Sequence, residues 1–334
     1  MQDSTIEQIR RLEAEKDAFA QQANMSRHAM ITLQRSMDRY RIHTMLKPLG
    51  NQCQMRTTQP ALPPNRTQAL CSALRAALAD AHHLGAQQPL EPLPDKGLAH
   101  DHVRLVGTGL LARIPKQSQM GLDAAHNLTY QRACFERAAA GGQTPVLYGW
   151  LAPSAHLPRG ALLVEEVVGR PARLPHDLPA IARSLAALHT LALPSPAAGA
   201  PLLWPPDPLQ ALCDEIEAQA SHLPAARVAP VVAQAVAHQL QQLKALCTAA
   251  PRPPRSLIAF DAHPGNFIVH ADGRAMLVDL EKCRYAYPGL DLAHATLYTS
   301  TTWDVDTQAV LTVDEVLGFY GAWEQSVGPT AAAV

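Results

Sequence analysis

The sequence predicts an α+β protein with a small lobe built on an antiparallel sheet and a larger, mainly helical lobe. Three observations favour this fold class. Short β-type runs flank one helical segment between residues 103 and 168, long helical segments follow Gly169, and three further β-type runs come after the Pro/Arg-rich stretch 251–255. Strands and helices that are segregated along a chain in this way are typical of α+β folds.

The elements of the small lobe are predicted from hydrophobic periodicity and from turn residues. A helix over 66–83 precedes a hairpin, whose two glycines, Gly107 and Gly109, separate the strands. Asp123 is placed to cap the next helix. The predicted strands are 103–106, 110–114, 146–150 and 161–168.

The elements of the large lobe follow from the same signals. Three helices with apolar residues at helical spacing are predicted, and three short strands come after them before helices close the chain. The helices are 177–191, 208–221 and 229–246, and the strands are 257–260, 267–270 and 275–280.

The N-terminal part of the chain is predicted to be a helical extension outside the two lobes. Ile6, Ile9, Leu12 and Phe19 are spaced to share one helical stripe. This stripe is compatible with docking on the body or on a second copy of the chain, and docking on a second copy would give a homodimer. The alternative is a solvated helix without a docking partner. The predicted segments are an extension over 1–55, an N-lobe over 56–168 and a C-lobe over 169–334.

Composition narrows the classes of partner and the compartment. Lys plus Arg is 28 against 29 Asp plus Glu, so we expect neither a nucleic acid nor an anionic membrane as partner. The six cysteines form no C-x-x-C pair, which disfavours a zinc ribbon or a disulfide framework. The N-terminus lacks an apolar signal core, and no long apolar run occurs, so we predict a cytoplasmic protein.

One stretch, FDAHPGNFIV at 260–269, has more polar chemistry than a turn between two strands requires. Asp261 and Asn266 have the D-x-x-x-x-N spacing of a kinase catalytic loop, and Asp279 ends an apolar run thirteen residues further on. An aspartate in this position can accept a hydroxyl proton, while the asparagine and the second aspartate supply oxygen ligands for Mg²⁺. Each residue alone is also a common turn former. Together they favour phosphoryl transfer.

These motifs resemble those of the aminoglycoside phosphotransferase and choline kinase superfamily. The resemblance is carried by FDAHPGNFIV, MLVDLEK and PGLDLAHA, and also by RSLAALHTL and LLVEEVVGR. It implies a bilobal protein kinase-like fold, ATP and Mg²⁺ as cofactors, Asp261 as catalytic base, and Asn266 and Asp279 as metal ligands. Asp291 would have a structural role beneath the catalytic loop.

The resemblance also implies nucleotide contacts in the small lobe. The backbone of Glu166 and Val167 would meet adenine, and Arg113 matches the cation that grips the phosphates, although Lys116 is close to it in sequence. No acidic partner for this cation is obvious on the following helix. Gln131 is near the family position, and Glu136 lies about a turn later.

The catalytic loop departs from the family pattern at two positions. Ala259 replaces the histidine that braces the loop, and Phe260 stands where a small residue is usual. These departures leave two hypotheses from different classes: an ATP- and Mg²⁺-dependent kinase of a small-molecule hydroxyl, such as that of an amino sugar or a choline-like amine, and a nucleotide-binding pseudokinase.

A third hypothesis is a metal-dependent hydrolase in which His263 and His270 join the two aspartates. The zinc motif H-E-x-x-H is lacking, which disfavours it. Trp303, beside Asp304 and Asp306, is a candidate contact for a cationic acceptor.

Overall fold

The computed structural model describes residues 64–94, 99–226, 228–248, 252–302, 304 and 307–328. The predicted extension over 1–55 and the candidate acceptor contact Trp303 lie outside these residues. Two compact units are distinguished, one containing the described residues 64–206 together with 252–328, and the other containing 207–248. None of the helices in the described part of the chain is long and apolar enough to cross a membrane.

The larger unit begins with a helix and a five-stranded antiparallel sheet. The sheet has the order β1-β2-β3-β5-β4. Its elements, with the helices beside it, are α1 (Pro64–Asp80), β1 (Leu90–Pro92), β2 (His100–Leu105), β3 (Leu110–Pro115), α2 (Ala124–Ala138), β4 (Leu147–Leu151) and β5 (Ala161–Glu165).

Alternation along β3 decides which side chains face the site. Ala112 and Ile114 pack with α1 on one face of the sheet, whereas Leu111 packs on the other face, against the core that α2 shares with the rest of the unit. Because successive side chains of a strand point to opposite faces, Arg113 lies on the same face as Leu111. The predicted hairpin is confirmed, with Gly107 and Gly109 at its tip, where both have positive φ.

The rest of the larger unit starts with β6 (Arg170–Pro171), α3 (Leu178–His189) and the short α4 (Pro196–Gly199). The smaller unit follows in the chain and contains α5 (Pro208–Ala220), α6 (Leu223–Ala226) and α7 (Pro230–Thr248). The chain then returns to the larger unit with β7 (Ser256–Ile258), β8 (Phe267–Val269), β9 (Ala275–Leu277), β10 (Arg284–Ala286), α8 (Pro288–Thr296), α9 (Tyr298–Thr302) and α10 (Val313–Val327).

The C-terminal strands form two small antiparallel sheets, β6-β8-β9 and β7-β10. One core joins them to α2, α3, α8 and α10, and its fully buried members include Phe135, Ile181, Leu185, Phe267, Tyr285 and Phe319. Each such side chain contributes about 1.5–3 kcal/mol by leaving water. The loops that follow β7 and β9 are therefore attached to a rigid base.

Candidate active site

A buried carboxylate holds the loop between β7 and β8. Asp291, in the first turn of α8, accepts the backbone N–H of Ala259 at 2.7 Å and that of Phe260 at 2.8 Å. The Trp323 indole donates to His189 Nδ1 at 3.0 Å, so His189 carries its proton on Nε2 and donates it to Asp291 at 3.1 Å. The loop is thereby anchored to three helices of the core.

The backbone turns sharply just before Asp261. Phe260 has φ of 60°, a left-handed conformation that costs a residue other than glycine roughly 1–2 kcal/mol. The Asp291 carboxylate holds the Phe260 amide, and the Arg284 guanidinium lies 3.5 Å from the centre of the phenyl ring. These two contacts stabilise the strained turn that presents Asp261.

The pairing of β8 with β9 brings two of the predicted site residues to one end of a hairpin. Phe267 pairs with Leu277, so Asn266 immediately precedes the paired region and Asp279 follows it by two residues. The Val278 amide donates to the Asn266 carbonyl at 2.9 Å. Asn266 Nδ2 in turn donates to the Asp261 carbonyl at 2.8 Å. This bond holds Asp261, the third predicted site residue, at the same end of the hairpin.

Arg113 reaches this point from the sheet. Arg113 as a whole is 5% exposed, and its guanidinium donates to Asp279 Oδ1 at 2.7 Å and to the Val278 carbonyl at 3.0 Å. Burial alone would raise the pKa of Asp279, but the charge and hydrogen bond of Arg113, together with the nearby His100 and His102, outweigh it and lower that pKa to about 2. Asp279 is therefore a carboxylate at neutral pH.

A second polar cluster lies behind Asp279. Gln131, on the buried face of α2, bridges His100 Nε2 at 3.0 Å and Glu281 Oε2 at 3.3 Å, and the Gln119 amide donates to Glu281 Oε1 at 2.7 Å. Burial, and then the charge of Asp279, raise the pKa of Glu281 to about 7. Burial, and then the charge of Arg113, lower the pKa of His100 to about 4. His100 is therefore neutral at pH 7.

The carboxylate of Asp261 has a cation beside it. Lys282 Nζ lies 2.6 Å from Asp261 Oδ2, and His294 Nδ1 lies 3.9 Å from Oδ1. The side chains of Asp261 and Lys282 are 17% and 22% exposed. The pair is thus accessible to a ligand while its surroundings are mostly protein.

The side chains of Asn266 and Asp279 fit a magnesium ion. Because Asn266 Nδ2 is used by the Asp261 carbonyl, the amide oxygen remains to bind a cation. Asp279 is ionised, its side chain is 25% exposed, and among the described residues its Oδ2 has no hydrogen-bond donor. Mg²⁺ prefers such hard oxygen ligands. His100, Asp279 and Glu281 also place ligand atoms within 4.8 Å of one another, but Gln131 already holds the His100 nitrogen.

Of the two candidate phosphate-gripping cations, the structure brings only Arg113 to Asp279. Lys116 is on the α1 face of β3, with its Nζ 3.8 Å from Asp101. On α2, Gln131 faces the cluster, whereas Glu136 forms a surface pair with Arg132 at 3.0 Å. Alternation of side chains along the strand accounts for the first placement, and the 3.6-residue period of the helix, which puts residues five positions apart on different faces, accounts for the second.

The predicted adenine contacts follow directly after β5. The Glu166 amide donates to the Gly109 carbonyl at 2.8 Å, and the Glu166 carboxylate accepts from Arg104 at 2.5 Å. The Glu166 N–H is therefore engaged within the protein. Of the backbone groups predicted to contact adenine, the Glu166 carbonyl and those of Val167 remain as the predicted contacts.

His270 does not belong to the cluster of the two aspartates. It follows β8, and its amide bonds to the Arg274 carbonyl at the turn of the β8–β9 hairpin. Asn266 and Asp279 are at the opposite end of that hairpin. This separation removes one of the two histidines on which the hydrolase hypothesis depended.

Sequence reasoning missed the site contacts made by Lys282, His100 and Gln119. Lys282 and Glu281 both stand in the motif VDLEK, so their proximity to Asp279 along the chain was a usable signal. No local pattern connects His100 or Gln119 with a residue more than 160 positions away. Their contacts with the Glu281 carboxylate arise from tertiary packing.

Comparison with known proteins gives a consistent result. A family model described as the phosphotransferase enzyme family matches residues 92–325. The fold is similar to that of a choline kinase from Cryptosporidium parvum Iowa II, with a TM-score of 0.54, 12% identity, and coverage of 78% of this chain and 79% of that one. No curated protein sequence matches significantly.

Two bacterial structures are similar to the same degree. A putative aminoglycoside phosphotransferase from Ralstonia eutropha JMP134 has a TM-score of 0.54 and 17% identity, covering 77% of this chain and 80% of that one. A macrolide 2'-phosphotransferase from Brachybacterium faecium has a TM-score of 0.52 and 13% identity, covering 77% and 84%. These likenesses confirm the predicted α+β, protein kinase-like fold.

Proposed function

Because the chain belongs to the phosphotransferase enzyme family, we propose that it transfers the γ-phosphoryl group of ATP, with Mg²⁺, to a hydroxyl of a small molecule. The observation that carries the proposal is the convergence of Asp261, Asn266 and Asp279 at one end of the β8–β9 hairpin. The family resemblance predicted from the sequence is confirmed by the match over residues 92–325.

Each of these residues has a distinct role in the proposal. Asp261 orients the acceptor hydroxyl and takes its proton as the oxygen attacks phosphorus. Asn266 and Asp279 hold the metal, which neutralises charge on the β- and γ-phosphates when bound. Arg113 supplies positive charge to the phosphate chain from the sheet. The Glu166 carbonyl and the Val167 backbone contact adenine.

The loss of the usual loop histidine at Ala259 does not leave the loop without support. Asp291 accepts hydrogen bonds from both the Ala259 and the Phe260 amides, and its carboxylate is fully buried. A brace that uses backbone donors does not depend on the side chain at position 259. This supports an active enzyme over a degenerate one.

The test is phosphoryl transfer from radiolabelled ATP to a panel of hydroxyl compounds containing amino sugars, macrolides, choline and ethanolamine. Once an acceptor is found, Asp279→Asn should lower turnover by at least about 10²-fold, because positioning of the metal supplies most of the catalysis. Asp272→Asn is the matched control, since this exposed carboxylate bonds to Arg274 within the β8–β9 turn, away from the proposed site. Wild-type turnover in Asp279→Asn contradicts the proposal.

A nucleotide-binding pseudokinase is the second candidate, and one observation favours it. Arg113 forms its ion pair with Asp279 itself, the proposed metal ligand, while the α2 position near it is the neutral Gln131. If this ion pair persists with nucleotide bound, ATP binding will be independent of Mg²⁺ and no acceptor will be phosphorylated. The acceptor screen, run with and without Mg²⁺, separates the two functions.

A further inference from the structure

The ion pair between Lys282 and Asp261 has a consequence for the reaction itself, and the inference rests on the proposed function. Lys282 lies three residues after Asp279, in the segment between β9 and β10, and its Nζ is 2.6 Å from Asp261 Oδ2. An ammonium has three N–H donors. Asp261 accepts one of them, and the described residues provide no other acceptor, so two donors remain for a ligand.

Neither of the two nearby guanidinium groups is placed on the Asp261 carboxylate by the contacts of the described residues. Arg113 uses both terminal nitrogens, one on Asp279 and one on the Val278 carbonyl. Arg284 lies over the Phe260 ring, 3.5 Å from its centre. Among the described residues, Lys282 is therefore the cation that contacts the carboxylate of the proposed base and retains donors for a phosphoryl group.

Phosphoryl transfer places its negative charge close to this ammonium. The acceptor oxygen is hydrogen-bonded to Asp261 and the leaving oxygen belongs to the phosphate chain at Asn266 and Asp279, so the phosphorus passes between them. Charge in this transition state is spread over the three equatorial oxygens. A preorganised donor beside Asp261 is placed to stabilise that charge.

The geometry points to Lys282 as a further catalytic residue, which donates a hydrogen bond to the transferring phosphoryl group while it holds the Asp261 carboxylate. The bond between phosphorus and the β–γ bridging oxygen breaks, and its electron pair leaves with ADP. The bond between phosphorus and the acceptor oxygen forms, and the acceptor proton goes to Asp261. Lys282 transfers no proton: it keeps its hydrogen bond to Asp261 and adds one to the transferring phosphoryl group.

The test requires no knowledge of the acceptor. Binding of Mg·ADP and of Mg·ADP with aluminium fluoride, a mimic of the transferring phosphoryl group, is measured by calorimetry on the full chain. Wild-type protein should bind the fluoride complex more tightly than Mg·ADP. In Lys282→Met the ratio of the affinity for the fluoride complex to the affinity for Mg·ADP should fall by about 10²–10³-fold, because the lost donor acts only on the transferred group. The affinity for Mg·ADP itself should stay the same.

Two further variants make the result interpretable. Lys282→Arg keeps the positive charge and should recover part of the tighter binding of the fluoride complex. If Lys282→Met had merely failed to fold, the arginine variant would not be expected to restore this binding selectively. Lys244→Met is the matched control, since this exposed lysine pairs with Glu217 at 2.6 Å in the smaller unit, and it should behave as wild type.

Three outcomes overturn the role of Lys282. An equal gain from aluminium fluoride in wild type and Lys282→Met does so and leaves the kinase function standing. Wild-type protein that binds Mg·ADP without any gain from fluoride also does so and leaves nucleotide binding standing. Wild-type protein that does not bind Mg·ADP overturns the proposed function and this role with it.

Discussion

Gln131 is near the position where the family pattern has an acid that pairs with the phosphate-gripping cation. Its amide instead links His100 to Glu281, and Arg113 takes Asp279 as its carboxylate partner. The carboxylate of Asp279 is thus the fixed negative charge paired with Arg113, whereas burial, and then the charge of Asp279, raise the pKa of Glu281 to about 7. A neutral amide at position 131 suits this balance of charge.

We expect Gln131→Glu to destabilise the protein for this reason. The substitution removes the N–H that Glu281 accepts and places two carboxyl groups against each other at a position that is 1% exposed. The cost of an unsatisfied buried group is about 1–3 kcal/mol, and a charged one costs more. Urea unfolding at pH 7 measures it.

The control for this substitution is Glu136→Gln on the exposed face of the same helix, where the carboxylate pairs with Arg132. An exposed ion pair of this kind contributes at most about 1 kcal/mol. If Gln131→Glu unfolds at the same urea concentration as wild type, the bridge is not a significant source of stability.

At the scale of elements, Asp177 connects the segment after β5 with the start of α3. Its carboxylate accepts from Arg170 at 2.5 Å, from the Arg173 amide at 2.6 Å and from His176 at 2.8 Å. Burial alone would raise the pKa of Asp177, but these donors outweigh it and hold the pKa well below its usual range. A depressed pKa in the folded state makes this contribution to stability dependent on pH.

Asp177→Asn should therefore lower stability at neutral pH by about 1–2 kcal/mol, allowing for solvent screening of the partly exposed Arg170. The contribution of the carboxylate is complete above its unfolded-state pKa and is lost as the pH falls through the lower folded-state pKa. The difference between variant and wild type in urea unfolding should thus shrink as the pH is lowered from 5 toward 3. A difference that stays constant over this range would show that charge is not its source. Asp214→Asn, on an exposed helical face, is the control.

The sequence predicted the longer elements well, because hydrophobic periodicity and turn residues act locally. The hairpin at Gly107 and Gly109 is an example. It did not predict β1, β6 or β10, which have only two or three residues each; β6 and β10 are in addition defined by pairing with strands that are not their neighbours in the chain. Predicted strands 161–168 and 275–280 end earlier, at Glu165 and Leu277, because the sheet partners end there.

The same distinction applies to the site. The spacing of Asp261, Asn266 and Asp279 within one hairpin is a local property, and motif reasoning detects it. The choice between Arg113 and Lys116 depends on which face of β3 each occupies, and strand alternation contains that information once the core face is known. The contact of Lys282 with Asp261 depends on the path of the chain between β9 and β10, which no local pattern predicts.

At the scale of the whole molecule, the proposed nucleotide site draws on both the sheet and the hairpin of the larger unit. Arg113 and the backbone of Glu166 and Val167 belong to the sheet, whereas Asn266 and Asp279 belong to the hairpin. Arg113 joins the two through its hydrogen bonds to Val278 and Asp279. A ligand bound by both groups of residues should stabilise the folded state as a whole, because unfolding of either would release it.

Mg·ATP should therefore raise the thermal unfolding midpoint. At about 100 times Kd the free energy of unfolding increases by about 2.7 kcal/mol, which corresponds to roughly 4–6 °C for a fold of this size. Comparison of ATP with Mg²⁺ and ATP with a chelator, in wild type and in Asp279→Asn, assigns the effect. A rise that requires both Mg²⁺ and Asp279 supports the proposed Mg²⁺ site at Asn266 and Asp279, since Arg113 alone would bind the phosphates without metal. Equal rises with and without Mg²⁺ favour a pseudokinase in which Arg113 remains on Asp279, and no rise at millimolar ATP argues against nucleotide as the ligand.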